Sequence, residues 1–158
     1  MRKIVIVEMI FAVLLVGLLA LLLSKKPLND VPCETINKAF LEKESSEGME
    51  AWDGLRLRRD FNLEEAEHEG FVLYGEPDTM AVRIFLMLKC RNEDQTEAAV
   101  QAFERYLERQ KEAFEGYGAS QMKLLEQARI YQKGVYAALV IAEDPDEWIR
   151  VITELTEG

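Results

Sequence analysis

"GFVLYGEPDTMAVRIFLMLK", residues Gly70 to Lys89, holds two strand-like runs on either side of Gly75-Glu76-Pro77-Asp78, a combination that favours a turn. The segment reads as a β-hairpin. In its second run Val82, Ile84, Leu86 and Leu88 alternate onto one face, while Phe85 and Met87 make the middle of the other face apolar as well. A strand that is apolar on both sides belongs in the centre of a sheet.

The same pattern returns in "RIYQKGVYAALVIA", residues 129–142, a second hairpin turning at Lys133-Gly134. Between the hairpins lies "NEDQTEAAVQAFERYLERQKEAFEGYG", residues 92–118. Its Ala99, Phe103, Tyr106, Leu107, Gln110 and Phe114 fall at helical spacing, with charges elsewhere. Asn92 and Gln95 resemble a capping box, and Gly116 or Gly118 ends the helix in a left-handed turn. A short helix follows from Ser120 to about Gln127. "EDPDEWIRVITEL", residues 143–155, predicts a last helix with Asp144 as cap, Pro145 at its first position and Glu147 reciprocating. Trp148, Ile152 and Leu155 make its buried stripe.

Upstream, "NDVPCETINKAFLEKE", residues 29–44, predicts a helix opened by Asn29 or Asp30, with Ile36, Phe40 and Leu41 on one side. Ser45-Ser46-Glu47-Gly48 stops it. A second helical stretch runs from about Glu50 to Arg59 with Trp52, Leu55 and Leu57 turned inward, and residues 60–69 form a polar connection. The resulting order, strand-strand-helix twice over, predicts an α+β fold. It is a two-layer ββαββα sandwich, an antiparallel sheet from two hairpins with helices on one face, preceded by a transmembrane helix.

That leading helix rests on "IVIVEMIFAVLLVGLLALLL", Ile4 to Leu23. At 1.5 Å per residue these residues reach roughly 30 Å, the thickness of a bilayer hydrocarbon core. The run is longer than the apolar region of a cleaved signal peptide and ends in Ser24-Lys25-Lys26-Pro27, which favours an uncleaved anchor. Cys33 follows Asp30-Val31-Pro32 and is set apart from the apolar run, unlike a lipid-attachment cysteine. Glu8 lies about 6 Å inside the boundary by helical rise, shallow enough for its carboxylate to reach the headgroups. The expectation is a membrane anchor over residues 1–26 and one extracytoplasmic domain over residues 27–158, since a short N-terminus ahead of a single anchor leaves the bulk outside. The remainder suffices for one core and not comfortably for two.

With 19 basic and 29 acidic residues the chain carries a net charge of −10. A field of that sign, with no basic stripe, repels phosphate backbones and excludes nucleic acid as a partner. Arg56 to Arg59 is too short to offset it and reads as a solvated helix face. The two cysteines, Cys33 and Cys90, could pair outside the cytoplasm or serve as buried apolar residues.

From about Leu55 to Trp148 three runs are similar to one family: "MAVRIFLMLK", "ERYLERQKEAFEGYGASQMKLLEQARI" and "KGVYAALVIAEDPDEW". Arg109-Gln110-Lys111, Phe114, Gly116-Tyr117 and Leu124-Leu125-Glu126 carry most of the likeness to the domains of unknown function numbered 4358, of Gram-positive anaerobes. The resemblance implies a small extracytoplasmic domain behind a membrane anchor or lipid attachment, and it supplies no activity.

Chemistry is sparse. Nucleophilic triads and transition-metal sites lean on histidine, and the chain has one, His68. Glu65 and His68 have the i, i+3 spacing of di-metal carboxylate bundles, but such sites need the motif twice, so Glu64 to Glu69 reads as a solvated acidic loop. Glu143, Asp144, Asp146 and Glu147 could hold a weak calcium ion but are accounted for by helix capping. No serine-hydrolase elbow, phosphate loop, dinucleotide fingerprint or zincin pattern occurs. Tyr117, between two glycines, either presents a ring at an interaction surface or packs back onto its own helix.

No catalytic, cofactor-binding or metal residue is therefore expected. The anchor, with Ile4, Glu8 and Leu23, points to the membrane as one partner and to an envelope protein or glycan as another. The reading is a non-enzymatic interaction module at the cell envelope. The alternative is an envelope hydrolase working through paired carboxylates, whose separation only a fold can reveal.

Overall fold

The computed structural model describes residues 2–23 and 27–158, with side chains over residues 7–21 and 27–158. A 22-residue helix, α1 (Arg2–Leu23), leads the chain. The side chains of Ile4 and Leu23 lie outside the described residues. Among the described residues no helix is long and apolar enough to cross a membrane.

The body is built on an antiparallel sheet of five strands in the order β1-β2-β3-β5-β4. These are β1 (Glu50–Ala51), β2 (Gly70–Gly75), β3 (Ile84–Lys89), β4 (Arg129–Lys133) and β5 (Tyr136–Ile141). As its two-sided pattern requires, β3 is central, paired with β2 on one side and β5 on the other. Large residues on β3 face small ones on β5, Met87 opposite Ala138 and Leu88 opposite Ala137, so the two strands fill complementary space.

The alternation within β3 sorts the core into two. Leu73, Ile84, Leu86, Leu88, Leu139 and Ile141 face α3 (Gly54–Phe61), α4 (Glu93–Phe114) and α5 (Ala119–Glu126), meeting Leu57, Phe61, Phe103 and Leu125. Val72, Tyr74, Phe85, Met87 and Val140 face the other way, toward Ile36 and Phe40 of α2 (Cys33–Leu41) and Trp148 and Ile152 of α6 (Pro145–Glu157). The fold is α+β, as expected, but helices cover both faces of the sheet. This corrects the two-layer arrangement with helices on one face. The physical reason lies in "YAALVI" of β5, every residue of which is buried; a strand without a polar face needs a layer on each side.

The ββαββα order is also incomplete, because β1 precedes it and α5 intervenes. Glu50 and Ala51 pair with Gly75 and Tyr74 and Trp52 N–H donates to Leu73 O, so the helix expected from Glu50 begins only at Gly54. Asp53 caps it through the Arg56 N–H. Its Leu55 is 75% exposed, against the expectation that it turns inward, and Leu41 at the end of α2, expected on one side with Ile36 and Phe40, is 55% exposed while those two are buried. The α4 cap forms as the pattern implies, Asn92 Oδ1 accepting the Gln95 N–H. The Gln95 side chain reaches one residue further back, to the N–H of Arg91. Gly116, at φ +86°, supplies the left-handed residue past α4.

Neither Asn29 nor Asp30 opens α2; Pro32 stands at that position. Both instead fasten the leading segment to the body. The Asn29 N–H donates to Thr156 O (2.8 Å), and its side-chain amide reaches Leu155 O and Gly158 O. Asp30 pairs with Lys89 at 2.5 Å. The Val31 N–H donates to the buried Tyr136 hydroxyl (2.7 Å), which itself donates to Asn29 O at 3.1 Å. Leu28 rests on Gly134. This latch holds one end of the sandwich, where the register aligns Gly70, Lys89 and the Lys133–Tyr136 turn. Gly75, Ile84 and Ile141 mark the opposite end.

Two variants test this packing by chemical denaturation. Phe40 lies 4.5 Å from the rings of Tyr74 and Phe85 and 4.6 Å from Trp148, and Phe40→Ala should cost about 3–5 kcal/mol. Tyr136→Phe removes the acceptor of a buried N–H and should cost about 1–3 kcal/mol; a loss near zero would mean that the latch does not stabilise the body.

Candidate interaction surface

Tyr117 lies in the connection from α4 to α5. The helix α4 leaves the latch end, only three residues after β3, and its 22 residues carry the chain about 33 Å. Tyr117 therefore sits toward the opposite end. It is 67% exposed, with its ring 5.8 Å from that of Phe114.

Two grooves flank this connection. The larger, about 600 Å³, runs between α4 and α5. Leu107 and Met122 give it an apolar floor, and Glu104, Glu108, Glu112 and Glu115 rim it, with Lys111 as its one cation. Three of the glutamates recur every four residues, so they stack on one helix face, where like charges repel. Among the described residues no ion pair engages any of the four. The sequence signal for this groove was the i, i+4 recurrence in "ERYLERQKEAFE", which reads equally well as an ordinary solvated face.

The second groove, about 420 Å³, lies between the β2–β3 connection and α5 and includes Glu76, Asp78, Met80 and Leu124. It holds two carboxylates, and both are engaged in holding the loop. Glu76 pairs with Arg83 at 3.0 Å, and Asp78 Oδ1 accepts the Met80 N–H at 2.9 Å. Gln121 Nε2 donates to Met80 O at 3.3 Å, tying the loop to α5.

The remaining candidates disperse. Glu143, Asp144, Asp146 and Glu147 do not converge: Asp144 caps α6, Asp146 pairs with Arg129 at 2.9 Å, and Glu147 turns to Lys43 and Ser45 without reciprocating the cap. Among the described residues no group of three or more His, Cys, Asp or Glu could hold a metal ion. Cys33 and Cys90 are free and pack into the cores on opposite faces of the sheet. Burial raises both thiols, which keeps them from acting as ready thiolates. At Lys89 the hydrogen bond to Asp30 holds the ammonium well above its ordinary range, with Glu69 adding and partial burial opposing.

His68 departs most from expectation. Glu64, Glu65, Glu67 and Glu69 are exposed, yet the imidazole between them is buried, at 7% exposure, and neither ring nitrogen has a hydrogen-bond partner among the described residues. The 3-10 turn at Glu65–Glu67 leads into extended backbone at His68, and the reversal turns this one side chain inward. Burial lowers its pKa from the ordinary 6.5, with Glu67 opposing and Arg91 adding. A histidine whose folded pKa lies below its unfolded one favours the neutral form in the fold. Its contribution is complete above about pH 6.5 and declines as pH falls below that value. The denaturation midpoint should accordingly drop between pH 7.5 and 5.5 in the wild-type chain and drop less in His68→Phe; parallel pH curves for the two would sink this account.

No curated protein and no solved structure matches the chain. A family model does, over residues 42–142, which takes in β1 to β5 with α3, α4 and α5, both grooves and Tyr117. By that match, with the helices and strands of its sheet inside it, the chain belongs to the family described as domain of unknown function (DUF4358).

Proposed function

We propose that this chain is a membrane-tethered, non-enzymatic binding module at the cell envelope. Residues 1–26 are the anchor, residues 27–158 one extracytoplasmic domain, and the α4–α5 groove its docking face. One observation carries the tether: every described side chain of α1, from Val7 to Leu21, is exposed, and all but Glu8 are apolar or glycine. An apolar surface of that extent is costly in water, at about 25 cal/mol for each Å², and a bilayer removes the cost. Glu8 sits near the end of the run where headgroups are within reach.

The docking half of the reading draws on the groove itself. Carboxylates without an ion-pair partner among the described residues, set around an apolar floor, suit a cationic, partly apolar segment and repel anionic polymers, which favours an envelope protein over an acidic glycan. Tyr117, two residues past the groove-lining Glu115, adds an exposed aromatic ring of the kind that anchors interfaces. The hydrolase alternative is weaker at the second groove, where Glu76 and Asp78 are both engaged by neighbouring groups.

Membranes from cells making the full chain test the tether: the protein should resist alkaline extraction, and Leu14→Arg with Leu18→Arg should release most of it. Protease added to intact protoplasts should digest the body. A photocrosslinking residue at Leu107 should trap an envelope protein, with the yield falling several-fold when Glu104, Glu108 and Glu112 become lysine. No adduct above background, together with turnover of a peptide or glycan, would defeat the binding module.

A further inference from the structure

The latch fixes which end of the body meets the tether, and this goes beyond the presence of an anchor. Asn29, Asp30 and Val31 are bound to Thr156, Lys89 and Tyr136, all at the end of the sheet that carries the Lys133–Tyr136 turn. From Leu23, the last residue of α1, to Leu28, the first latch residue seated on Gly134, is five residue steps, which reach at most about 17 Å when fully extended. The α4 helix alone is about 33 Å long, so a tether entering at the latch end cannot bring the Tyr117 end down in its place. Tipping the body onto its α4 side would press Glu104, Glu108 and Glu112 toward anionic headgroups.

We infer that the body stands on the bilayer by its latch end. The β4–β5 turn and residues 28–31 lie next to the lipid headgroups, and Tyr117 with the β2–β3 connection is held away from them. The inference rests on the tether proposed above. It gives the docking groove a direction: a partner approaches from the envelope side and not along the membrane plane.

The test uses the full chain in vesicles of phosphatidylethanolamine and phosphatidylglycerol containing a lipid with a nitroxide on its headgroup. With Cys33 replaced by serine and the buried Cys90 retained, a fluorophore is attached at Gln132→Cys, beside the latch-end turn, or at Ala119→Cys, at the start of α5; both positions are exposed. Quenching should be several-fold stronger at residue 132 than at residue 119. Inserting about ten Gly and Ser residues after Lys26, which adds roughly 17 Å of flexible span, should bring the two values together. Equal or inverted quenching in vesicle-bound protein of native length would overturn the orientation alone. Failure of the protein to float with the vesicles would overturn the tether, and the orientation with it.

Discussion

A strand that is apolar on both faces has to be covered twice, and this single requirement organises the molecule. In β3 the residues Ile84, Leu86 and Leu88 point one way and Phe85 and Met87 the other, all buried. Its partner β5 has no polar face either. The chain meets the requirement by splitting its helices: α3, α4 and α5 pack on one side, α2 and α6 on the other. The two cores share a sheet but little else, and for that reason the two cysteines, one in each, stay apart.

The second layer recruits the segment that leads out of the apolar helix. Phe40 of α2 stacks among Tyr74, Phe85 and Trp148, so residues ahead of the family-matched region complete a core inside it. The latch extends that dependence to residues 28–31. Tyr136 is the pivot, since its ring lies in the core while its hydroxyl accepts the Val31 N–H. A buried amide satisfied by a side chain more than a hundred positions away ties the start of the body to its sheet.

Surface chemistry then divides along the molecule. Several carboxylates in loops and at the start of α6 serve the fold: Asp144 caps α6, Asp78 braces the β2–β3 connection, Glu76 pairs with Arg83 and Asp146 with Arg129. Those along α4 have no such partner among the described residues, and they surround Leu107 and Met122. What sets the α4–α5 groove apart is that its carboxylates gather around an apolar floor. The buried His68, without a hydrogen-bond partner among the described residues, lies outside both grooves and belongs to the stability of the turn entering β2.

Periodicity alone determined the two hairpins, the central place of β3, the long helix with its Asn92 cap and the Pro145 start of α6, because each depends on neighbours within a few residues. The same pattern set the α+β class, while the family came from the likeness of particular runs, residues 109–117 and 124–126 above all, to its members. Tertiary structure decided what local pattern cannot encode. Two-residue β1 forms only because β2 offers it an edge, so Glu50 and Ala51 read as helix until that edge exists. Leu41 and Leu55 fit a helical stripe yet face water, since a stripe specifies an apolar side but not how far the core extends. The imidazole of His68 turns inward from a run of exposed acids, and Asn29 bonds to the end of α6 where capping logic had it open α2. In each of these cases the deciding partner is distant in the chain, and contact across that distance is a property of the assembled sheet and helices and not of any window of sequence.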